Sequence, residues 1–295
     1  MIILDLIRGM CMAFADSVPG VSGGTIAFIM GFYSQFLDSI NALVSRTSKE
    51  EKKESLIFLL KLGIGWVVGL ISSVLFIASI FESHIYQISS LFIGFIVFSI
   101  PLIYKEEKQT ISGHAGHLIY SLIGLIVVVL LTYFNPTGQT EGMGVAFNSF
   151  SLGIGLYVFI SGMIAISAMV LPGISGSTLL LIFGLYAPII SSIKEVLTFN
   201  FAPIPMLFCF GIGVIIGLLS VVKLLSKLLK IRRSELIYLI FGLMIGSLYA
   251  VVMGPTTLET PQVPLSLSSF SIIFFLIGGA IILGLEKLKD LCSNQ

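Results

Sequence analysis

Long apolar stretches recur along this chain, and they limit what it can fold into. Each is about 16 to 25 residues long, the length that a helix needs to cross the hydrocarbon core of a bilayer. With 56% hydrophobic and only 11% charged residues, the 295-residue chain lacks the polar surface of a water-soluble domain. We therefore predict an all-α, polytopic integral membrane protein. The clearest spanning stretches run from Leu56 to Ile80, Ile85 to Ile103, Leu118 to Phe134, Ile204 to Leu225, Leu236 to Met253 and Phe270 to Leu285.

Two longer apolar stretches are broken by proline, glycine, serine and threonine. A shift of 153 residues places VPGVSGGTIAFIMGFYSQFLDSI (18–40) on LPGISGSTLLLIFGLYAPIISSI (171–193), with ten identities in 23 positions. A shift of 148 residues places GIGWVVGLISS (63–73) on GIGVIIGLLSV (211–221). Internal duplication of this kind is typical of secondary transporters.

The chain is therefore predicted to hold two repeats, residues 1–140 and 141–295, in one membrane domain. Each repeat begins with a broken helical hairpin and continues with three transmembrane helices. The first hairpin is predicted at 2–44 around a PGVSGG turn, and the second at 147–193 around a PGISGS turn. Arms of about 20 residues are long enough to be either re-entrant or fully spanning.

Lysine and arginine prefer short cytoplasmic loops, and this preference orients the chain. If each broken hairpin enters and leaves on the same face, fifteen of the sixteen basic residues share one side, and only Lys194 lies opposite. If each broken segment crosses once, the basic residues divide eight against eight. The hairpin arrangement is therefore favoured, with cytoplasmic N- and C-termini. Three crossings per repeat is an odd number, so the second repeat is predicted to be inverted relative to the first.

The two PGxSG turns are predicted to enter from opposite faces, to approach each other near the bilayer midplane and to bind phosphate there. Proline and glycine end the incoming helix, and Ser22 or Ser175 is suited to cap the outgoing one. Free amides at a helix N-terminus, together with hydroxyl groups, favour an anion. Small residues also let transmembrane helices pack closely, which is the expected role of the glycines in GIGWVVG and its copy. The predicted phosphate-binding residues are Gly20, Ser22, Gly23, Gly24, Thr25, Gly173, Ser175, Gly176, Ser177 and Thr178, with Pro19 and Pro172 as structural turn residues.

Two charged residues precede the first turn, and their counterparts in the second copy, Ser161 and Met169, are uncharged. Asp16 is a candidate coupling site for protons or sodium ions, because an ionisable group inside a membrane is costly. Its alternative role is to close the turn by accepting hydrogen bonds from backbone amides. Arg8 is a candidate for binding an anionic headgroup, or it pairs with Asp5 three residues earlier.

The remaining polar residues indicate no catalytic or metal centre. Three cysteines, Cys11, Cys209 and Cys292, lie far apart without a metal-ligand spacing, and the histidines fall in predicted loops. No metal, cofactor or nucleic-acid partner is expected, and no cleavable signal peptide is predicted. The basic cluster near the end of the 204–225 stretch is expected to orient the chain or to attract anionic lipid headgroups.

The segment ADSVPGVSGGTIAFIMGFY and its second copy SAMVLPGISGSTLLLIFGLY resemble the bacterial polyprenyl-phosphate transporter family, long classed as a domain of unknown function. The resemblance covers nearly the whole chain, with both turn motifs in order. It implies a multi-pass protein of the bacterial plasma membrane that returns undecaprenyl phosphate, a lipid carrier of cell-wall precursors, from the outer to the cytoplasmic leaflet. It also implies alternating access, with the phosphate held at two helix N-termini. The motif residues that it carries over are Asp16, Pro19, Gly20, Ser22, Gly23, Gly24, Thr25, Pro172, Gly173, Ser175, Gly176, Ser177 and Thr178.

Two other functions share parts of this pattern. An undecaprenyl-pyrophosphate phosphatase would need a nucleophile, a general acid or base and a cationic clamp. Neither turn contains an arginine, and the apolar stretches contain no paired glutamates and no histidine at depth. A small-anion or ion transporter would use broken helices but would need no lateral opening for a lipid tail.

Overall fold

A computed structural model describes residues 2–16, 22–72, 84–134, 151–197, 199–257 and 261–293, and most of these residues are in helices. The predicted boundary at 140 and the proline and glycine at 19 and 20 lie outside the described residues. The helices of seven or more residues are α1 (Ile2–Asp16), α2 (Gly23–Ile29), α3 (Tyr33–Val44), α4 (Lys49–Ser72), α5 (Ile85–Glu106), α6 (Leu118–Tyr133), α7 (Leu152–Val170), α8 (Gly176–Ile182), α9 (Tyr186–Leu197), α10 (Ile204–Ile231), α11 (Arg233–Met253) and α12 (Ile272–Ser293).

Helices cover the described part of each predicted membrane stretch, while residues 73–80 lie outside the described residues, and several helices are longer than their apolar parts. α4 begins seven residues before the predicted start, and α10 continues six residues beyond the predicted end. Lysine and glutamate are good helix formers, so the helix continues where the apolar stretch ends. Within the described residues, six helices are long and apolar enough to cross a membrane, which makes this a multi-pass membrane protein.

Both halves begin with the same series of helices. A long helix, α1 or α7, precedes a seven-residue helix and then a twelve-residue helix. In the first half this series is α1, α2 and α3, and in the second half it is α7, α8 and α9. The helix order therefore agrees with the repeat found in the sequence.

The helices α1 and α4 run in the same direction and touch through glycines. A Cβ atom added at Gly65 would lie 2.1 Å from the carbonyl oxygen of Leu6, and one at Gly69 would lie 2.7 Å from the Cα atom of Met10. Since both contacts advance by four residues in the same sense, the helices are parallel. Glycine, which has no Cβ atom, lets two helix backbones approach this closely.

The pair α7 and α10 repeats this arrangement at equivalent positions. An added Cβ at Gly213 would lie 2.2 Å from the Phe159 carbonyl oxygen, and one at Gly217 would lie 2.6 Å from that of Met163. The packing role expected for these glycines is thus confirmed at positions 65, 69, 213 and 217. It is wrong for Gly63 and Gly211, because an added Cβ would meet nothing within 4 Å at either.

The last two helices of each half pack against the last two helices of the other half. α6 packs in parallel on α11, with the Ser121 hydroxyl donating to the Tyr238 carbonyl at 2.6 Å and His117 Nδ1 lying 2.9 Å from Ser234 Oγ. α5 packs in parallel on α12, where Ser90 Oγ accepts from the Ser271 amide at 3.0 Å. The two halves therefore form one interlocked helical body.

Several helix ends gather on one side of the protein, which we call the basic face. Arg233, at the start of α11, donates two hydrogen bonds to Glu107, at the end of α5, and its Nε lies 3.0 Å from Oε2. Lys230, near the end of α10, lies 3.9 Å from Asp38 of α3. The basic face is thus where α3, α5 and α10 end and where α4, α6 and α11 begin.

The directions of the remaining long helices follow from those of their parallel partners. α1 leaves the basic face together with α4, whereas α7 points towards it together with α10, and α12 does so together with α5. The equivalent helices α1 and α7 therefore run in opposite directions.

Candidate functional site

The two PGxSG turns meet inside the protein. The Gly173 amide donates to the Thr25 hydroxyl at 2.8 Å, a contact that spans 148 residues of chain. The Ser22 hydroxyl donates to the Leu171 carbonyl at 3.4 Å. We call this contact between residues 22–25 and 170–173 the turn junction. The predicted meeting of the two turns is therefore present in the structure.

Ser22 caps α2, as its sequence position predicts. Its side-chain oxygen accepts from the Thr25 amide at 3.3 Å and lies 3.1 Å from the Thr25 hydroxyl. Both side chains are buried, with 1% of their surface exposed. The hydroxyl groups of the first turn are therefore already engaged, both with each other and with the second turn.

Glycine is required where α2 meets the end of α7. A Cβ added at Gly24 would lie 2.6 Å from the Val170 carbonyl oxygen and 3.0 Å from that of Met169. The Val170 carbonyl also accepts a hydrogen bond from the Tyr33 hydroxyl at 3.0 Å. Tyr33 belongs to the sequence motif but was not predicted as a site residue. Its hydrogen bond joins the first half of the protein to the second.

The second turn also needs glycine. Gly173 adopts a φ of +90°, a conformation that favours glycine, and an added Cβ would lie 2.4 Å from the Leu243 carbonyl oxygen. Ser175 is buried, and α8 begins directly after it at Gly176. Pro172 is also buried. The side chains at positions 177 and 178, like Pro19 and Gly20 of the first turn, lie outside the described residues.

Asp16 accepts hydrogen bonds with both of its carboxylate oxygens, one from the start of α2 and one from α4. The Gly23 amide donates to Oδ1 at 2.6 Å, and the Trp66 indole donates from Nε1 to Oδ2 at 3.0 Å. The turn-closing role considered for Asp16 is thus present. The amide of Gly23, which was expected to be free, is occupied by this carboxylate, because a buried acidic group must find donors.

Trp66 is a site residue that sequence analysis missed. It is the only tryptophan of the chain and lies 50 residues from Asp16. The signal that could have indicated it is that position 66 carries tryptophan where the second copy carries Val214.

Arg8 is not brought to the turn junction. Its guanidinium donates to the Asp5 carboxylate at 3.0 Å, one turn earlier on α1, and its central carbon lies 4.8 Å from the centre of the Phe32 ring. The pairing with Asp5 that the sequence allowed is therefore observed.

A cavity of about 270 Å³ lies beside the turn junction, between the two halves. Asp16, Gly23 and Gly24 line one end of it. Of the described residues that line the cavity, Asp16 alone is ionisable, and most of the others are apolar. These apolar residues come from α1, α3, α4, α7 and α10, and include Met12, Phe36, Leu59, Leu62, Ile166 and Leu218.

The described residues hold no group of histidine, cysteine, aspartate and glutamate that could bind a metal ion. His114 and His117 lie in the loop between α5 and α6, as predicted, and their rings stack with centroids 5.2 Å apart. These histidines therefore belong to the loop at the basic face and not to the turn junction.

The fold and the site define a multi-pass helical membrane protein with a cavity beside the turn junction. Residues 12–268 match the VCA0040-like family, described as undecaprenyl phosphate translocase-like. The chain belongs to this family. It is similar to a polyprenyl-phosphate transporter of Vibrio cholerae serotype O1, at 32% identity over an alignment of 316 positions that covers 96% of each protein. It is also similar to a polyprenyl-phosphate transporter of Staphylococcus aureus, at 32% identity over 286 residues that cover 97% of this chain and 96% of the relative. No solved structure matches it.

Proposed function

We propose that this protein translocates polyprenyl phosphate, in particular undecaprenyl phosphate, from the outer to the cytoplasmic leaflet of the bacterial plasma membrane. The lipid carrier would thereby return to cell-wall synthesis. The observation that carries the proposal is the turn junction, which places polar groups of both halves beside an apolar cavity in the middle of the helical body. The names of the two relatives give the same substrate class.

Only the headgroup of such a lipid needs a protein to cross the membrane. A polyprenyl tail is soluble in the hydrocarbon core of the bilayer, whereas an ionised phosphate loses its water shell there at a high cost in free energy. Hydroxyl and amide donors in a protected site replace part of that shell. The protein therefore needs a polar site for the phosphate beside an apolar path for the tail.

The phosphate site that we propose is the turn junction, in a state more open than the one described. Here the Ser22 and Thr25 hydroxyls bond to the second turn, so a phosphate entering between the turns would exchange these bonds for bonds to its own oxygens. The exchange links substrate binding to separation of the two halves. The other predicted phosphate-binding residues of both turns are proposed to add donors to the same site.

We further propose alternating access by an inverted repeat whose termini lie in the cytoplasm. The opposite directions of α1 and α7 support this, because equivalent helices of an inverted repeat must run oppositely. The chain begins on the basic face, where α1 starts, and α12 ends there. Since basic residues prefer the cytoplasmic side, this face is proposed to be cytoplasmic.

Asp16 is proposed to couple transport to protons or sodium ions. Its carboxylate lines the cavity and holds the amide that begins α2, so a change in its charge would act directly on the first turn. We propose a transporter and not an enzyme, since the described cavity lining contains one carboxylate and no cationic group to clamp a diphosphate.

The test is a leaflet-resolved translocation assay with purified protein in liposomes that contain undecaprenyl phosphate. Wild type is expected to move the lipid between leaflets, whereas protein-free liposomes should not. For the double variant Ser22→Ala/Thr25→Ala we expect a fall of about 100-fold, because each hydrogen bond to a charged group is worth about tenfold or more.

Two controls belong to this assay. Ser151→Ala removes a serine that caps α7, with its oxygen accepting from the Ile154 amide at 3.2 Å, at an exposed site away from the turns. It should transport like wild type, and Thr25→Ser, which keeps a hydroxyl, should retain most activity. Full transport by the double variant would contradict the proposed site, and no transport by wild type would contradict the proposed function.

A further inference from the structure

The cavity beside the turn junction is polar at one end and apolar elsewhere. Asp16 and the two glycines at the start of α2 form the polar end, and aliphatic and aromatic side chains form the remaining walls. A bare phosphate ion would gain nothing from these walls. A molecule with a polar end and a hydrocarbon body matches them, because burial of apolar surface favours its binding.

One side of the cavity opens on the lipid-facing surface of α4. Leu59, Leu62, Gly63 and Trp66 line it from one face of this helix, at the spacing of successive helical turns. Among these four, Gly63 is exposed, and a Cβ added to it would meet nothing within 4 Å. It lies in the apolar part of α4, which begins at Leu56, so the opening is within the membrane-spanning segment.

The side chains that neighbour Gly63 on α4 are apolar and exposed. Leu60 and Ile64, its neighbours on α4, expose 55% and 57% of their surface. In a helix long and apolar enough to span a membrane, such side chains face lipid. The cavity is therefore continuous with the interface between protein and lipid, and a chain lying in the bilayer can enter it sideways.

We infer that this cavity binds the beginning of the prenyl chain, the isoprene units next to the phosphate, which enter through the opening at Gly63. The inference rests on the proposed function and adds a site for the tail to the site for the headgroup. A cavity of roughly 150 Å³ holds a benzene ring of six carbons. The volume of about 270 Å³ thus accommodates about ten carbons, which is two isoprene units.

The second repeat provides a matched control. Gly211 is the equivalent of Gly63, and an added Cβ there also meets nothing within 4 Å. Gly211 is not among the described residues that line the cavity. A leucine at position 211 therefore adds the same side chain to an equivalent helix without filling the opening.

Trp66 reports on the cavity directly, because it lines the wall and is the chain's single tryptophan. The probe is farnesyl phosphate, titrated into detergent-solubilised protein and compared with inorganic phosphate. Farnesyl phosphate should shift the Trp66 emission to shorter wavelength in wild type and in Gly211→Leu, and inorganic phosphate should not. In Gly63→Leu the apparent affinity should fall about tenfold or more, since the side chain occupies space that the prenyl carbons need.

Gly63→Ala provides a milder variant whose methyl group meets no neighbouring atom, and it should lose less affinity than Gly63→Leu. Equal affinities in all four proteins, or no emission shift in wild type, would overturn the tail site. Liposome translocation by the same variants separates the two proposals. If wild type transports and Gly63→Leu transports equally well, only the tail site is contradicted. If farnesyl phosphate binds but no protein translocates the lipid, the transport function is contradicted.

Discussion

The short helices α2 and α8 each pack on the helix before them, but the residues they pack against differ in charge. A Cβ added at Gly23 would lie 2.9 Å from the Asp16 carboxylate, and one at the equivalent Gly176 would lie 3.2 Å from the Cβ of Met169. Each short helix thus packs on the last turn of the helix before it in the same way. Asp16 and Met169 occupy equivalent positions, yet one is acidic and the other apolar.

The partner of the acidic group differs between the halves as well. Trp66 donates to Asp16, and its counterpart Val214 has no side-chain donor. The donor and the acceptor are therefore present together in the first half and absent together in the second. A buried carboxylate without donors is costly, so such residues are expected to be retained or lost as a pair. The difference suggests that the duplicated scaffold supports both turns, while the polar pair serves a task of the first turn alone.

The glycine contacts between parallel helices are the same in both halves, so their loss should destabilise the two halves equally and strongly. Gly65→Ala and Gly213→Ala each place a methyl group about 2 Å from a backbone oxygen of the parallel partner helix. Each should destabilise the fold by about 3 kcal/mol or more, since backbone cannot move aside as a flexible side chain can. Thermal unfolding in lipid nanodiscs measures this, with Gly211→Ala, whose added methyl group meets no neighbouring atom, as a control that should not destabilise the fold. Markedly unequal effects at 65 and 213 would break the equivalence of the halves.

At the turn junction the two halves should respond differently. Gly24→Ala meets two carbonyl oxygens of α7 and should destabilise the protein by about 2 kcal/mol. The equivalent position in the second turn already carries Ser177, so Ser177→Ala should change stability by less than about 0.5 kcal/mol. The same unfolding measurement compares them, and a tolerated Gly24→Ala would mean that α2 does not abut α7 as described.

The polar pair can be tested by giving the first half the residues of the second. Asp16→Met alone leaves the Trp66 indole without its acceptor and should cost about 1–3 kcal/mol of stability. Replacing both partners, in Asp16→Met/Trp66→Val, should cost less than the sum of the two single changes. The double-mutant cycle should give a coupling of about 0.5 kcal/mol or more. Strict additivity would contradict the pairing.

Asp16→Asn should change stability by less than about 1 kcal/mol, because an amide oxygen can still accept from Gly23 or Trp66. It removes the charge, however, so the response of transport to an imposed pH or sodium gradient should disappear. Leaflet-resolved transport with and without each gradient measures this. A variant that responds like wild type would exclude Asp16 as the coupling group.

Local features of this protein were predictable because their causes are local. Proline, glycine and serine in sequence set the breaks after Asp16 and Val170 and the cap at Ser22, and apolar length set the spanning helices. The repeat then indicated that the two turns would approach each other.

Features that depend on packing between helices were not predictable. Gly63 and Gly65 look alike in the sequence GIG, but one faces the cavity opening and the other the backbone of α1, and the rotation of α4 decides which. Trp66 reaches Asp16 only because α1 and α4 run in parallel. Likewise, the first turn's hydroxyls were expected to be available, whereas burial between the halves joins them to the second turn.

The central claim is that the two turns form one shared phosphate site. The most direct test is a double-mutant cycle on undecaprenyl phosphate binding, with Ser22→Ala, Ser175→Ala and the double variant measured in the same nanodiscs. A shared site predicts that each single change weakens binding and that the two losses are coupled by more than about 0.5 kcal/mol. Losses that add within that margin, or single variants that bind like wild type, would contradict a shared site.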